Sequence, residues 1–309
     1  MTQEKNLGWT ADEYSELVGF DGDWRDTWWH QDYLELMARR LDLASVRTML
    51  DVGCGVGHWG QRLATVMPPD VEVFGVDHEA GFLDKARARA ESRPGRHTYL
   101  EATGERLPFD DDRFDLVTCQ TVLIHVPDAR RVIAEMVRVT RPGGVVLLSE
   151  PNNLVDPISN RLALTGLADD EMSRLFAFEA TCIRGREKLG HGDAVVGERM
   201  GSYLRDLGCE IRVWSNDTCA PLQPPYDTPR ERMQVDAVRS WSKQGVSHFG
   251  GYDETKRIYL AGGGIEQEYD ALFRAAVKSL ADVVAAIDAG TFRTAGGFLM
   301  YLVAGRKPA

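Results

Sequence analysis

LDVGCGVG, residues 50–57, closes an apolar run and opens a helical one. Ahead of the glycines, RTMLDV (47–52) reads as a β-strand ending near Asp51. Beyond them, residues 57–67 place Trp59, Leu63 and Val66 at helical spacing. Gly53, Gly55 and Gly57 make a tight strand-to-helix turn, and their missing side chains let a ligand approach the backbone. Gly55-Val-Gly-His-Trp-Gly60 also matches GxGxxG, a weak signal when it stands alone.

Outward from this turn the alternation continues. Residues 71–76 (VEVFGV) form a second strand ended by Asp77. A helix follows with Phe82, Leu83 and Ala86 inside and a basic outer face of Lys85, Arg87 and Arg89. Residues 97–101 and 114–120 are two more strands, and 129–140 is an amphipathic helix burying Val132, Ile133, Met136 and Val137. The turn RPGG (141–144) stops that helix and feeds a fifth strand over 145–150. Short apolar strands alternating with helices predict an α/β fold: a mostly parallel sheet flanked by helices on both faces.

After residue 150 the pattern loosens. A helix over 197–207, a strand near 210–215, a helix over 266–289 and an apolar strand over 297–304 remain legible. These predict six stretches: an N-terminal helical lid (1–46), the ligand-binding core (47–150), a cap insertion (151–195), more core (196–216), a helical cap insertion (217–295), and a last core strand with its tail (296–309).

Composition narrows the function. With 309 residues, 43% hydrophobic and 27% charged, the chain can bury a sizeable core. A formal charge of −11 argues against a nucleic-acid partner, which needs clustered Lys and Arg. No run approaches the roughly 18 apolar residues that span a bilayer, so no membrane role is expected. The polar N-terminus lacks a secretory pattern, and five scattered cysteines show no CxxC spacing. Both point to a cytoplasmic, reduced protein without a disulfide frame.

Ligands of open parallel sheets bind at the carboxyl ends of the strands, near the reversal of strand order. Those ends carry Asp51, the glycine loop, Asp77, residues 101–105, Gln120 and Glu150. Asp77 stands 20 residues after Gly57, where a carboxylate accepts from both hydroxyls of a ribose. A nicotinamide-binding unit shares these features. Asp51 separates the readings, because its charge suits an ammonium and a sulfonium better than a pyrophosphate. So does the final apolar strand, which can complete the sheet instead of opening another dinucleotide half.

Five motifs in order then resemble class I S-adenosylmethionine-dependent methyltransferases: LDVGCGVG (50–57), VFGVDHE (73–79), ERLPFDDDRFDLV (105–117), VLIHVPD (122–128) and RPGG (141–144). The resemblance implies a Rossmann-like seven-stranded sheet of order 3-2-1-4-5-7-6 with its last strand antiparallel. It implies S-adenosylmethionine as cofactor, with Asp51, Gly53, Gly55 and Gly57 around the methionine part and Asp77, with His78 beside it, at the ribose. Where the family commonly has an Asp for the adenine amino group, this chain has Thr103, leaving Thr103 and the amides of Gly104 and Glu105 for adenine. Gln120, at the end of the fourth strand, would bind the methionine amino or carboxylate group.

On the acceptor side, His125 just beyond the fourth strand is the best-placed base and also neighbours the cofactor. His30 and Glu150 are further catalytic candidates. Glu150 either faces the acceptor or caps a turn. The aromatic run over 24–33 is an amphipathic helix whose resemblance to small-molecule methyltransferases suggests a cofactor cap, with Tyr14 and Trp29 in contact. Gln223-Pro-Pro-Tyr226 looks like the Asn-Pro-Pro-Tyr motif of nucleic-acid methyltransferases but follows the sixth strand, so it reads as a turn. Gln120 in place of an acid argues against a metal. The insertions predict an enclosed pocket and a small-molecule acceptor; part of them can instead form a homodimer interface. The expected function is methyl transfer to oxygen or nitrogen of a small metabolite, of the secondary-metabolism type. The alternatives are a catalytically silent cofactor-binding partner or regulatory subunit, and, third, a nicotinamide dehydrogenase.

Overall fold

In the computed structural model, which describes residues 24–155, 168–217 and 221–309, Asp42 ends the first α-helix. That helix, α1 (Gln31–Leu41), buries Tyr33, Leu34, Met37 and Leu41 on one face, and Asp42 stops it in a left-handed conformation. β1 (Thr48–Val52) follows, buried at every position but its first. The chain then runs through α2 (His58–Ala64), β2 (Glu72–Asp77), α3 (Ala80–Ala90), β3 (Arg96–Glu101) and β4 (Phe114–Gln120). α4 (Ala129–Val139) starts at Asp128, whose side chain accepts from Arg131 N at 3.1 Å. β5 (Thr140–Pro151), α5 (Asp169–Lys188), α6 (Met200–Asp206), β6 (Glu210–Ser215), α7 (Pro229–Gln244), α8 (Tyr252–Ala261), α9 (Glu266–Asp288) and β7 (Met300–Arg306) complete the order.

The strands form one seven-stranded sheet, β3-β2-β1-β4-β5-β7-β6, the order that the family resemblance implies. β1 pairs in parallel with both β2 and β4, so strand order reverses at β1 and opens the crevice that seats ligands in such sheets. β7 runs antiparallel to β5 and β6. Val132, Ile133 and Met136 of α4 pack with Leu50, Val117 and Leu148 of the sheet in the largest core cluster.

β5 is longer than the predicted 145–150. Its pairing begins at Phe114–Thr140, shifts register, and continues from Leu116–Val145. The RPGG segment stays joined to the sheet because Gly143 N donates to Lys307 O and Lys307 N to Gly144 O, both at 3.0 Å. Gly143 accommodates the bulge with a φ of 73°.

The described chain divides into two compact units. One comprises residues 25–152, 192–217 and 299–309 and holds the whole sheet. The other comprises, of the described residues, Trp24, 153–155, 168–191 and 221–298 and is helical. Within the helical unit α5 and α8 approach closely: a Cβ on Gly185 or Gly262 would collide with the facing backbone at Ile258 or Thr181. Tyr259 and Tyr269 pack on Phe178 there, and Gln223–Tyr226 is a turn, closed by Tyr226 N on Gln223 O at 3.0 Å. Cys54, Cys119, Cys182 and Cys209 are buried free thiols. No described helix is long and apolar enough to cross a membrane.

Candidate active site

The glycine loop leaves β1 at the strand-order reversal. Cys54 N donates to Val76 O at 2.9 Å and Gly57 N to Cys54 O at 2.8 Å, which curls the loop over the end of β2. Gly53 has a φ of 66°, and a Cβ there would stand 2.5 Å from Val122. Any other residue would both strain the turn and push away the loop after β4.

Two buried carboxylates divide the charge beside this loop. Asp77 accepts from Gly55 N at 2.8 Å and Glu79 N at 3.0 Å, with His78 Nδ1 3.3 Å away. Burial pushes its pKa up, but the bonds from His78, Glu79 and Gly55 outweigh this and hold it below the usual carboxylate range. The Asp77 carboxylate in turn raises the pKa of His78. Asp51 accepts from Gly60 N at 2.9 Å through Oδ2. Its Oδ1 is buried and has no hydrogen-bond partner. Burial, with the Asp77 charge adding to it against the Gly60 amide, lifts Asp51 to about 7.

The remaining predicted cofactor residues lie at the same edge. Ala102 N donates to Asp77 O at 3.0 Å, which brings Thr103, Gly104 and Glu105 beside the end of β2. Thr103 is exposed; Gly104 is half-buried against Val52 and Val132. Gln120 is buried at the end of β4, and its Oε1 accepts from Trp29 Nε1 at 3.4 Å. Trp29 leans on Trp59 with ring centroids 4.9 Å apart, and Trp59 Nε1 donates to Thr118 Oγ1 at 2.8 Å. Trp29 is thereby held at the end of β4. Tyr14 lies outside the described residues.

The three catalytic candidates fall in different settings. His125 is exposed in the turn after β4, its N–H bonded to Val122 O at 2.9 Å. Glu150 is fully buried and spends its carboxylate on that turn, accepting from Val122 N (2.8 Å), Leu123 N (2.9 Å) and Ile124 N (3.4 Å). Burial still lifts it to about 7 against those amides. Glu150 thus shapes the backbone that carries His125. His30 precedes α1, with Nδ1 3.1 Å from Asp217 Oδ2. His30, Asp32 and Asp217 each offer an atom within 4.8 Å of the others.

Several residues escaped the sequence reading. Asp26, in the 3-10 turn Trp24–Trp28, accepts from Arg93 at 2.7 Å and Arg89 at 3.2 Å and lies 2.9 Å from His58 Nδ1. Burial raises its pKa, but His58, Arg89 and Arg93 together bring it down to about 2. Arg89 therefore faces a carboxylate, where the basic run on α3 suggested a solvated face. An acid inside an aromatic run, opposite a basic helix, was the available clue. Asp217 offered none, since only the folded chain brings it to His30.

A methyltransferase-domain family model matches residues 49–144. Methyltransferase GfsG of Streptomyces halstedii is 34% identical over 211 residues, covering 68% of this chain and 71% of that protein. Demethylmenaquinone methyltransferase of Geobacillus kaustophilus is 34% identical over 122 residues, 39% of this chain and 52% of that one, so the chain spans about half of that relative's length. A solved phosphoethanolamine N-methyltransferase 2 of Haemonchus contortus, in complex with S-adenosyl-L-methionine, superposes with a TM-score of 0.52 at 17% identity. That match covers 100% of this chain and 60% of the other, and it shows the shared fold. Sheet order and glycine loop define a Rossmann-like methyltransferase domain. The chain belongs to the class I S-adenosylmethionine-dependent methyltransferase family.

Proposed function

We propose that the protein transfers a methyl group from S-adenosylmethionine to oxygen or nitrogen of a small metabolite. The observation that carries this reading is the orphaned, buried Oδ1 of Asp51 beside a glycine loop that Asp77 grips at Gly55. A buried carboxylate oxygen without a donor fits a cationic ligand group, and a loop that tolerates no Cβ at Gly53 fits close backbone approach. The residues therefore suit the donor molecule. Asp51 and the loop would hold its methionine end, Asp77 and His78 its ribose, and Thr103, Gly104 and Glu105 its adenine, with Gln120 at the amino or carboxylate group. When bound, it supplies an electrophilic methyl on a sulfonium.

What the chain itself adds is placement. Trp29 and Trp59 exclude water at the end of β4, and Glu150 fixes the turn that presents His125. Alignment of acceptor and methyl lowers the barrier to such a displacement. The small-metabolite reading draws on the demethylmenaquinone methyltransferases among the relatives. Calorimetry with S-adenosylmethionine and with NAD tests the cofactor. A panel of phenols, hydroxy acids and amines, read as S-adenosylhomocysteine release, tests the reaction. Micromolar binding of S-adenosylmethionine with release on one panel member is expected; NAD binding without it would overturn the reading.

A further inference from the structure

The antiparallel end of the sheet gathers arginines on one face. Across β5, β7 and β6, Val145, Arg306 and Glu210 stand in one row, and Ala304 and Arg212 stand in the next row of the same face. The last turn of α1 adds Arg40 and Leu41, and together these side chains line an open pocket. Its floor is apolar and buried at Leu41, Val145 and Ala304. The water-sized space inside measures about 30 Å³, room for about two waters, so it admits a ligand's head group and not a whole cofactor. Val145 lies six residues before the last residue of β5, about 20 Å from the carboxyl edge where the glycine loop sits. Three of the lining residues are arginines and one is a glutamate, which leaves the pocket two charges positive in a chain of formal charge −11. Arg212 makes no hydrogen bond or ion pair among the described residues. Arg40 lies over Trp214, its Cζ 5.5 Å from the ring centroid, and donates only to Met37 Sδ at 3.8 Å. Arg306 spends one terminal nitrogen on Gly143 O at 2.7 Å. Glu210 stands across from Arg306 and forms no ion pair with it.

We propose that this pocket binds a soluble phosphate group, as inorganic phosphate or as a phosphate monoester. The inference goes beyond methyl transfer and does not rest on it. A guanidinium presents its N–H groups as a fork that matches the oxygens of an oxyanion. Three forks arriving from α1, β6 and β7 suit a tetrahedral group, which offers oxygens on several sides, better than a planar carboxylate with two. A dianion also balances the pocket's two surplus charges. Glu210 can only accept, so it suits the P–O–H of monohydrogen phosphate or a hydroxyl beside the ester. The small side chain of Ala304 keeps the floor open; a longer one there would fill it.

The test titrates the full chain calorimetrically with inorganic phosphate, glycerol 3-phosphate and malonate, with ionic strength held constant by sodium chloride. The wild type is expected to bind about one phosphate per chain saturably. Arg212→Gln should bind it about tenfold or more weakly, the cost of losing charged hydrogen bonds. Since Arg212 is exposed and unpartnered, that variant should melt at the wild-type temperature in the absence of phosphate. Ala304→Leu keeps every charge and should lose binding by filling the floor. Arg239→Gln, which removes an arginine paired with Asp288 in the helical unit, should bind as the wild type does. Tighter binding of glycerol 3-phosphate would assign the site to an ester and tighter binding of inorganic phosphate to the free ion; either upholds the proposal. Wild-type protein without saturable binding, or equal affinity in Arg212→Gln, would overturn it. Malonate bound as tightly as phosphate would overturn the tetrahedral class.

Discussion

Asp51 and Asp77 pair with neighbouring strands, yet their protonation is driven in opposite directions. Asp77 holds its charge through bonds from Gly55, Glu79 and His78; Asp51 is lifted to about 7 by burial and by that charge. A cationic ligand at Asp51 needs the ionised form, so S-adenosylmethionine affinity should rise as pH climbs through about 7. Asp51→Asn should bind more weakly and flatten that dependence in a calorimetric pH series. Glu150, also lifted to about 7, bears on stability. Its folded-state pKa exceeds its unfolded value, so its contribution is full below about 4 and is lost as pH rises through about 7. Glu150→Gln should reduce the decline in melting temperature across that window. Glu150→Ala should cost roughly 2–4 kcal/mol by leaving buried amides unpaired. In the sequence Asp51 and Asp77 were legible because they end strands at the glycine turn. Whether Glu150 faced the ligand or the turn depended on where residues 122–124 fold, which periodicity does not tell.

At the scale of elements, the 3-10 turn Trp24–Trp28 is clamped to α3 and to the start of α2 through one carboxylate. Asp26 meets Arg89, Arg93 and His58, and its pKa falls to about 2. A depressed carboxylate contributes stability that is present above its unfolded pKa and lost as pH falls through the folded one, here between about 4 and 2. Asp26→Asn should remove that acid-sensitive contribution, worth about 2 kcal/mol, as read from urea unfolding at neutral and acid pH. Because His58 follows the glycine loop, the same variant should weaken S-adenosylmethionine binding. Unchanged affinity would separate the clamp from the cofactor site. The strand-and-helix alternation was readable here since each apolar run is short and bounded by Gly, Pro or Asp. The extra length of β5 was not, because RPGG is held to the sheet by hydrogen bonds to Arg306 and Lys307, which lie at the far end of the chain.

For the whole molecule, the sheet order followed from five ordered motifs, while the acceptor side did not follow from any. The residues proposed for the cofactor from Asp51 to Gln120 lie in one contiguous stretch, where local patterns suffice, while Tyr14, Trp29 and His125 fall outside it. His30 and Asp217 meet across 187 residues, and that meeting exists only in three dimensions. Methyltransferase GfsG shares 34% identity over 211 residues, so the likeness to that relative runs well past the 49–144 domain. The central claim, that Asp77 and the glycine loop hold S-adenosylmethionine, is tested most directly by titrating wild type and Asp77→Ala with it calorimetrically. The expected result is micromolar binding by the wild type and at least about tenfold weaker binding by the variant, the cost of losing charged hydrogen bonds. Equal affinity in the two proteins, or no binding by either, would contradict it.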